Sequence, residues 1–240
     1  MSTRVLTAHQ VGYLPWLGFF SKIASADLFC SFDSVQYEKN GWINRNQIKT
    51  ANGPLMLTVP VNGKNHFEKR ICEVEIAGGS NWTRKHMRSI ELAYRKAPHF
   101  DQHFAGVGAI LDLYADGGLL NDLNLDMLRY FLRALGLQVP IVNSSDYEFR
   151  GSKSLLLLDM CVQLRATAFI FGGEGERYAD KQAFHEAGIQ PWFQKYEHPV
   201  YPQLHGAFLP NMSALDLLMM CGPDALEILR QGWQLEASVV

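Results

Sequence analysis

The sequence predicts an α/β fold built on one doubly wound, mostly parallel sheet of about five strands, and three observations lead there. Short continuous apolar runs recur along the chain, helical patterns separate them, and a hairpin-like pair with three further helical patterns is inserted between the second and third runs. A run that is apolar throughout, instead of alternating, needs cover on both faces, as a parallel strand has. At 240 residues, with 48% hydrophobic and 19% charged content, the chain is long enough for one large domain spanning 1–240.

Val5 to Ala8 is the first strand, Trp16 to Ser25 the first helical crossover and Leu28 to Phe32 the second strand. Leu55 to Val61 and Ile71 to Ile76 read as the hairpin-like pair, and three helical patterns fill Trp82 to Leu135, so 55–135 forms the insertion. Val139 to Asn143 is the third parallel strand, and Gly151 to Arg165 is a helix leading to the fourth, Ala168 to Phe171. Ala179 to Ala187 is a helix that Gly188 ends as a C-cap before the fifth strand, Pro191 to Gln194. Helical patterns within 206–232 close the domain, and their apolar surface after Ser213 suits either a homodimer or a helix pair packed on the same chain. In a doubly wound sheet, the loops after the first and third strands are expected to meet where strand order reverses, the usual place for a ligand. His9, Gln10 and Tyr13 lie on the first of these loops, Ser144 and Ser145 on the second, and Gly172 to Tyr178 on the loop after the fourth strand.

Composition narrows the function classes. A net charge of −2 leaves no global footprint for nucleic acid or an anionic membrane. Cys30, Cys72, Cys161 and Cys221 are scattered with no C-x-x-C pair, and no apolar stretch precedes a cleavage site, so reduced thiols in the cytoplasm are expected. The densest apolar run, Leu155 to Leu158, is cut by Asp159 and is too short to insert in a bilayer. His99 and His103 are four apart but lack an obvious third ligand, so neither a metal nor a cofactor is predicted.

Residues 9–49 mix aromatic, amide and basic side chains in a way that packing alone does not require. Gln10, Tyr13, Trp16, Gln36, Tyr37, Trp42, Asn44, Arg45 and Lys49 are types that stack on and hydrogen-bond to ligands. Lys39, Arg45 and Lys49 bring three cations within eleven residues, enough to hold a phosphate or carboxylate, with Arg45 offering the bidentate fork. Tyr37, Trp16 and Trp42 would shape the site, and Gln36 with Asp33 would accept from sugar hydroxyls or an amine at the end of the second strand.

Three further stretches carry chemistry. The glycines of Gly172-Gly173-Glu174-Gly175-Glu176, Gly173 among them as a substrate-binding candidate, let a backbone approach a ligand, with Glu176 placed to take a proton or orient an amine, and Tyr178 as a wall. This run is neither a P-loop nor a complete dinucleotide fingerprint. Tyr196 to Gln203 is stiffened by two prolines and holds His198, the first candidate for general acid or base, with Glu197 or Asp216 to orient it; Tyr201 and Gln203 line the same loop. His9, directly after the first strand, is the rival base. Trp16-Leu17-Gly18-Phe19 opening a helix is faintly similar to the H-x-G-H signature of nucleotidyltransferases, but Trp and Phe cannot donate to phosphate as those histidines do. The N-terminus of that helix is still available to an anion.

Gln10, Tyr13-Leu14-Pro15-Trp16, Gly18-Phe19, Lys22-Ile23, Asp27, Asp33, Val35-Gln36-Tyr37, Lys39, Trp42 and Asn44-Arg45 together resemble the WbqC-like family. Trp82 to Pro98, Ser144-Ser145, Gly173 to Tyr178, Glu186 to Ile189, His198 to Gln203 and Ser213 to Leu218 extend the resemblance over nearly the whole chain. It implies a setting in bacterial surface-polysaccharide (O-antigen) biosynthesis, without a reaction. The chain departs from the family pattern at Val11, where a proline usually follows the Gln, and at Asp33-Ser34, where paired acids are common. The residues and the resemblance together lead to a transferase that moves an acyl, aminoacyl or related group on a nucleotide-linked, carrier-bound or similarly activated small molecule. A non-catalytic ligand-binding or assembly protein and a degenerate nucleotidyltransferase are the alternatives.

Overall fold

The computed structural model describes residues 3–38, 40–63, 68–79 and 81–237. Its centre is a six-stranded sheet made by β1 (Val5–His9), β2 (Leu28–Ser31), β7 (Ile141–Asn143), β8 (Ala168–Phe171), β9 (Gln190–Tyr196) and β10 (Trp233–Ala237). Their order across the sheet is β10-β9-β8-β1-β2-β7. Every neighbouring pair is parallel except β9 and β10, which run antiparallel with Trp233 opposite Tyr196.

Apolar cover lies on both faces, which is why the central strands carry unbroken apolar runs. Phe29 turns toward one face with α1 (Leu17–Ile23), α2 (Trp82–Tyr94), α3 (Phe100–Leu113), α4 (Leu120–Ala134), α7 (Ala214–Cys221) and α8 (Ala225–Gln231). Leu6, Leu28, Cys30, Phe169 and Phe171 turn toward the other, where α5 (Ser154–Gln163) and α6 (Lys181–Glu186) supply Leu157, Met160, Cys161 and Phe184. Gly188, at φ +71°, follows α6; its N–H donates to the His185 carbonyl and the Ile189 N–H to the Phe184 carbonyl. That pair of bonds is a Schellman ending, with Ile189 packed in the same core as Phe184.

Three expectations change. The strand after the insertion, β7, pairs outside β2, so strand order reverses between β1 and the fourth parallel strand, β8. Burial accounts for this: β8 is buried at all four positions and fits the sheet centre, whereas the three residues of β7 are half-buried and fit an edge. The hairpin is formed by β3 (Arg45–Thr50) and β4 (Gly53–Thr58), not by 55–61 with 71–76. Ile76, in β5 (Glu75–Ile76), instead bridges Val61 and pairs with β6 (Gly118–Leu119). A sixth strand, β10, adds to the five that the sequence predicts and continues the chain just past the C-terminal helices. Among the described residues no helix is long and apolar enough to cross a membrane.

Candidate functional site

A cleft of about 830 Å³ opens at the C-terminal end of β1, beside the place where strand order reverses. One wall is the loop after β1 and the start of α1, with His9, Gln10, Gly12, Pro15, Trp16 and Phe19. The opposite wall is the 38–43 loop and the start of β3, with Glu38, Gly41, Trp42, Ile43, Asn46 and Gln47, and Pro210 with Asn211 closes one end.

Backbone-directed amides hold these walls together. The Asn124 side chain donates to the carbonyls of Val11 and Ile43, both at 2.9 Å, and the Tyr13 N–H donates to the same Ile43 carbonyl. Asn46 donates to the Leu14 carbonyl at 2.8 Å, and the Ser213 N–H donates to the Gln47 carbonyl at 2.9 Å. The loops approach so closely at Gly12 that a Cβ there would lie 2.6 Å from the Trp42 carbonyl oxygen. The Trp16 indole lies over Gly18 and covers the first turn of α1, which has only seven residues. Trp42 is 60% exposed and Trp16 38%, and both line the opening.

Next to His9, which lines the cleft, the charge arrangement is unusual. Lys22, on the buried helix α1, is 3% exposed; its Nζ donates to the Ala8 carbonyl at 3.0 Å and stands 3.3 Å from Nδ1 of His9. Burial lowers the Lys22 pKa to about 7. The Lys22 charge, with burial second, lowers that of His9 to about 3, although the His9 ring is open to the cleft.

Of the residues selected from sequence, His9, Gln10, Trp16 and Trp42 line this cleft together. Tyr13 is buried with its hydroxyl 3.0 Å from Nδ1 of His86, and burial raises its pKa. Tyr37 is buried in the core, and Gln36 bridges Arg70. Asn44 donates to the Val59 carbonyl at 2.8 Å. The Arg45 guanidinium donates to the carbonyls of Gly41 and Asn40 at the foot of the 38–43 loop. Lys49, 1% exposed, donates to the carbonyls of Ala207 at 2.6 Å and Gly206 at 3.4 Å. Lys39 lies outside the described residues.

Asp33, Ser144 and Ser145 satisfy one another away from the cleft. The Asp33 carboxylate accepts from the Ser144 hydroxyl, the Ser145 hydroxyl and N–H, and the Asn121 amide, between 2.8 and 3.1 Å. Gly173 follows β8, Glu176 pairs with Lys181 at 3.4 Å, and Tyr178 is half-exposed against Phe171. His198 stacks on Tyr201, and its Nδ1 lies 2.9 Å from the Pro199 carbonyl instead of a carboxylate; burial is the main reason its pKa is lowered. Tyr201 and Gln203, with Tyr94, surround the fully buried Asp216, whose charge Lys49 opposes. Among the described residues, no group of three or more His, Cys, Asp or Glu side chains is arranged to hold a metal ion.

The sequence pattern of the WbqC-like protein family matches residues 10–228. This chain belongs to that family. The matched span takes in every cleft-lining residue except His9, one position before it. An uncharacterized protein of Mycobacterium tuberculosis (strain ATCC 25618 / H37Rv), Rv1507c, is 37% identical over 222 residues, covering 92% of this chain and 95% of its own. No solved structure matches.

For this WbqC-like chain, sequence reasoning missed Glu38, Asn46, Gln47 and Asn211 as lining residues, and Lys22 as a site residue. Lys22 carried a usable signal: it is the one charged side chain in L-G-F-F-S-K-I, a helix buried at every position. Asn211 carried none, because only the folded chain brings it to a site built from the first fifty residues.

Proposed function

We propose that this chain is a cytoplasmic transferase acting on a nucleotide-linked sugar or similarly activated small molecule, in bacterial surface-polysaccharide or specialised-metabolite biosynthesis. The observation that carries this reading is the cleft itself: two exposed tryptophans, the amides of Gln10, Gln47 and Asn211, and one histidine line a single space of about 830 Å³. That volume falls in the range of about 300–1,000 Å³ typical of small-molecule sites, and here it lies beside a strand-order reversal. Indole faces stack on sugar rings or bases, and amides both donate to and accept from hydroxyl groups. Gln10, Gln47 and Asn211 would orient the substrate, Trp16 and Trp42 would cover it, and His9 would move the proton at the transferred bond, while Asn46 holds the walls in place. Membership of the WbqC-like family supports the biosynthetic setting.

The test is thermal unfolding with nucleotides, nucleotide sugars, and acyl and aminoacyl donors, comparing the native chain with Trp42→Ala. A ligand at a hundredfold excess over its Kd stabilises the folded state by about 2.7 kcal/mol. A nucleotide sugar that stabilises the native chain and loses most of that effect in Trp42→Ala supports the reading. A panel that leaves the native transition unmoved overturns it.

A further inference from the structure

Lys22 is costly where it stands. An ammonium buried among apolar groups loses several kcal/mol of hydration, and this cost is usually offset by a carboxylate. Here, among the described residues, the partners in reach are a carbonyl, Ala8 O at 3.0 Å, and an imidazole nitrogen, His9 Nδ1 at 3.3 Å. Among the described residues, the elements packed around the pair bring no countercharge to it. Flanking β1, β2 offers Ser31 opposite His9 and β8 offers apolar residues. On β9, Lys195 bonds Glu236 and Tyr196 packs on Trp16; on α8, Glu227 and Arg230 are exposed; Glu38 lies across the cleft.

We propose that Lys22 is the positioning residue of a two-residue proton relay, fixing the tautomer of His9 so that Nε2 carries the hydrogen presented to substrate in the cleft. The proposal rests on the transferase reading of that cleft. An ammonium has no lone pair, so beside a protonated Lys22 the nitrogen Nδ1 must accept, and a neutral ring then carries its hydrogen on Nε2. His9 is accordingly a donor in the resting state, not a free base. As the bond between the donor's oxygen and the transferred group breaks, that oxygen takes the Nε2 proton, Nδ1 takes one from Nζ, and Lys22 is left neutral. The proton released by the acceptor's nucleophile, as it bonds to the transferred group, returns to Nε2 while the Nδ1 proton returns to Nζ. Protons and charge balance over the cycle, with the activated donor and the acceptor as the only reactants. The depressed values for both groups fit this order: near neutrality the ring is uncharged and Lys22, at about 7, loses or gains a proton readily.

Nitrogen-15 NMR of histidine-labelled protein tests this, with the His9 signals assigned from His9→Gln. The expected result in the native chain at pH 6 is a neutral ring protonated on Nε2, titrating only near pH 3. In Lys22→Met the midpoint should climb toward 6.5 and the tautomer preference should disappear, while Lys22→Arg, which keeps the cation, should retain the preference. A native His9 that titrates near 6.5, that is protonated on Nδ1 at pH 6, or that is unmoved in Lys22→Met overturns the relay. The native measurement needs no variant, so a variant that fails to fold does not shelter the idea. A silent ligand panel with the NMR signature intact sinks the transferase reading alone; a bound nucleotide sugar without the signature sinks the relay alone.

Discussion

Lys22 makes the stability of this chain depend on pH in a direction that can be worked out. Its folded pKa of about 7 lies below the ordinary lysine value of 10.5, so between those values the unfolded chain binds more protons. The penalty is complete below pH 7 and is relieved as pH rises toward 10.5. His9, folded at about 3 against 6.5, adds a second penalty that grows as pH falls below 6.5. Lys22→Met is therefore expected to stabilise the chain at pH 6 by about 2–4 kcal/mol, after the lost bond to Ala8 is counted, and the gain should fade above pH 10. Urea unfolding at the two pH values measures the difference. A stabilising substitution that also disables the site is the expected trade-off where a strained group serves function. Asp33 shows the opposite case and why single residues mislead when read from sequence. It follows a strand end with a carboxylate, as a ligand-binding group does, yet four donors from Asn121, Ser144 and Ser145 close around it. Sequence exposes a side chain's capacity for hydrogen bonds and conceals which partner takes it.

Among the elements, the parallel strands were legible because Ala168–Phe171 and Leu28–Ser31 are buried at every position and so are apolar at nearly every one. β3 was not, because R-N-Q-I-K-T reads as a basic loop; only pairing with β4 makes it a strand, in which Ile48 faces the core while Gln47 faces the cleft. The junction that matters most for the site is between the loop after β1 and the 38–43 loop. It depends on Gly12, because any Cβ would lie 2.6 Å from the carbonyl oxygen of Trp42, and a backbone atom cannot swing aside as a side chain can. Gly12→Ala should force the two walls apart, lowering stability by about 1–3 kcal/mol and moving Trp42 away from its partner wall. Trp42 fluorescence and ligand-induced thermal shifts check this, and unchanged ligand response in a folded Gly12→Ala chain would contradict the close-approach argument.

For the molecule as a whole, every lining residue except Pro210 and Asn211 comes from 9–49, the stretch whose mixture of aromatic, amide and basic side chains stands out in the sequence. What composition could not convey is how the C-terminal third reaches that stretch. Lys49 makes the connection: from β3 its Nζ holds the carbonyls of Gly206 and Ala207, just before Pro210 and Asn211, and its charge opposes that of Asp216 on α7. The Lys49 N–H also donates to the Tyr94 hydroxyl, tying α2 to the same point. Replacing Lys49 by Met would leave two carbonyls without their donor and Asp216 without its opposing cation, a loss of about 2–4 kcal/mol at neutral pH. Burial already raises the Asp216 pKa above 3.8, and without Lys49 it should rise further. A group raised in the folded state binds its proton more tightly there than when unfolded. The penalty for its charged form is therefore full above the folded pKa and is relieved as pH falls toward 3.8. The stability gap between native and Lys49→Met should accordingly narrow on acidification through that window, as urea titrations at pH 7 and at a pH below 3.8 would reveal. Ligand affinity should fall in parallel, because Asn211 loses the tether that holds it at the end of the cleft; a variant equally destabilised at both pH values would show that Asp216 and Lys49 do not act on each other.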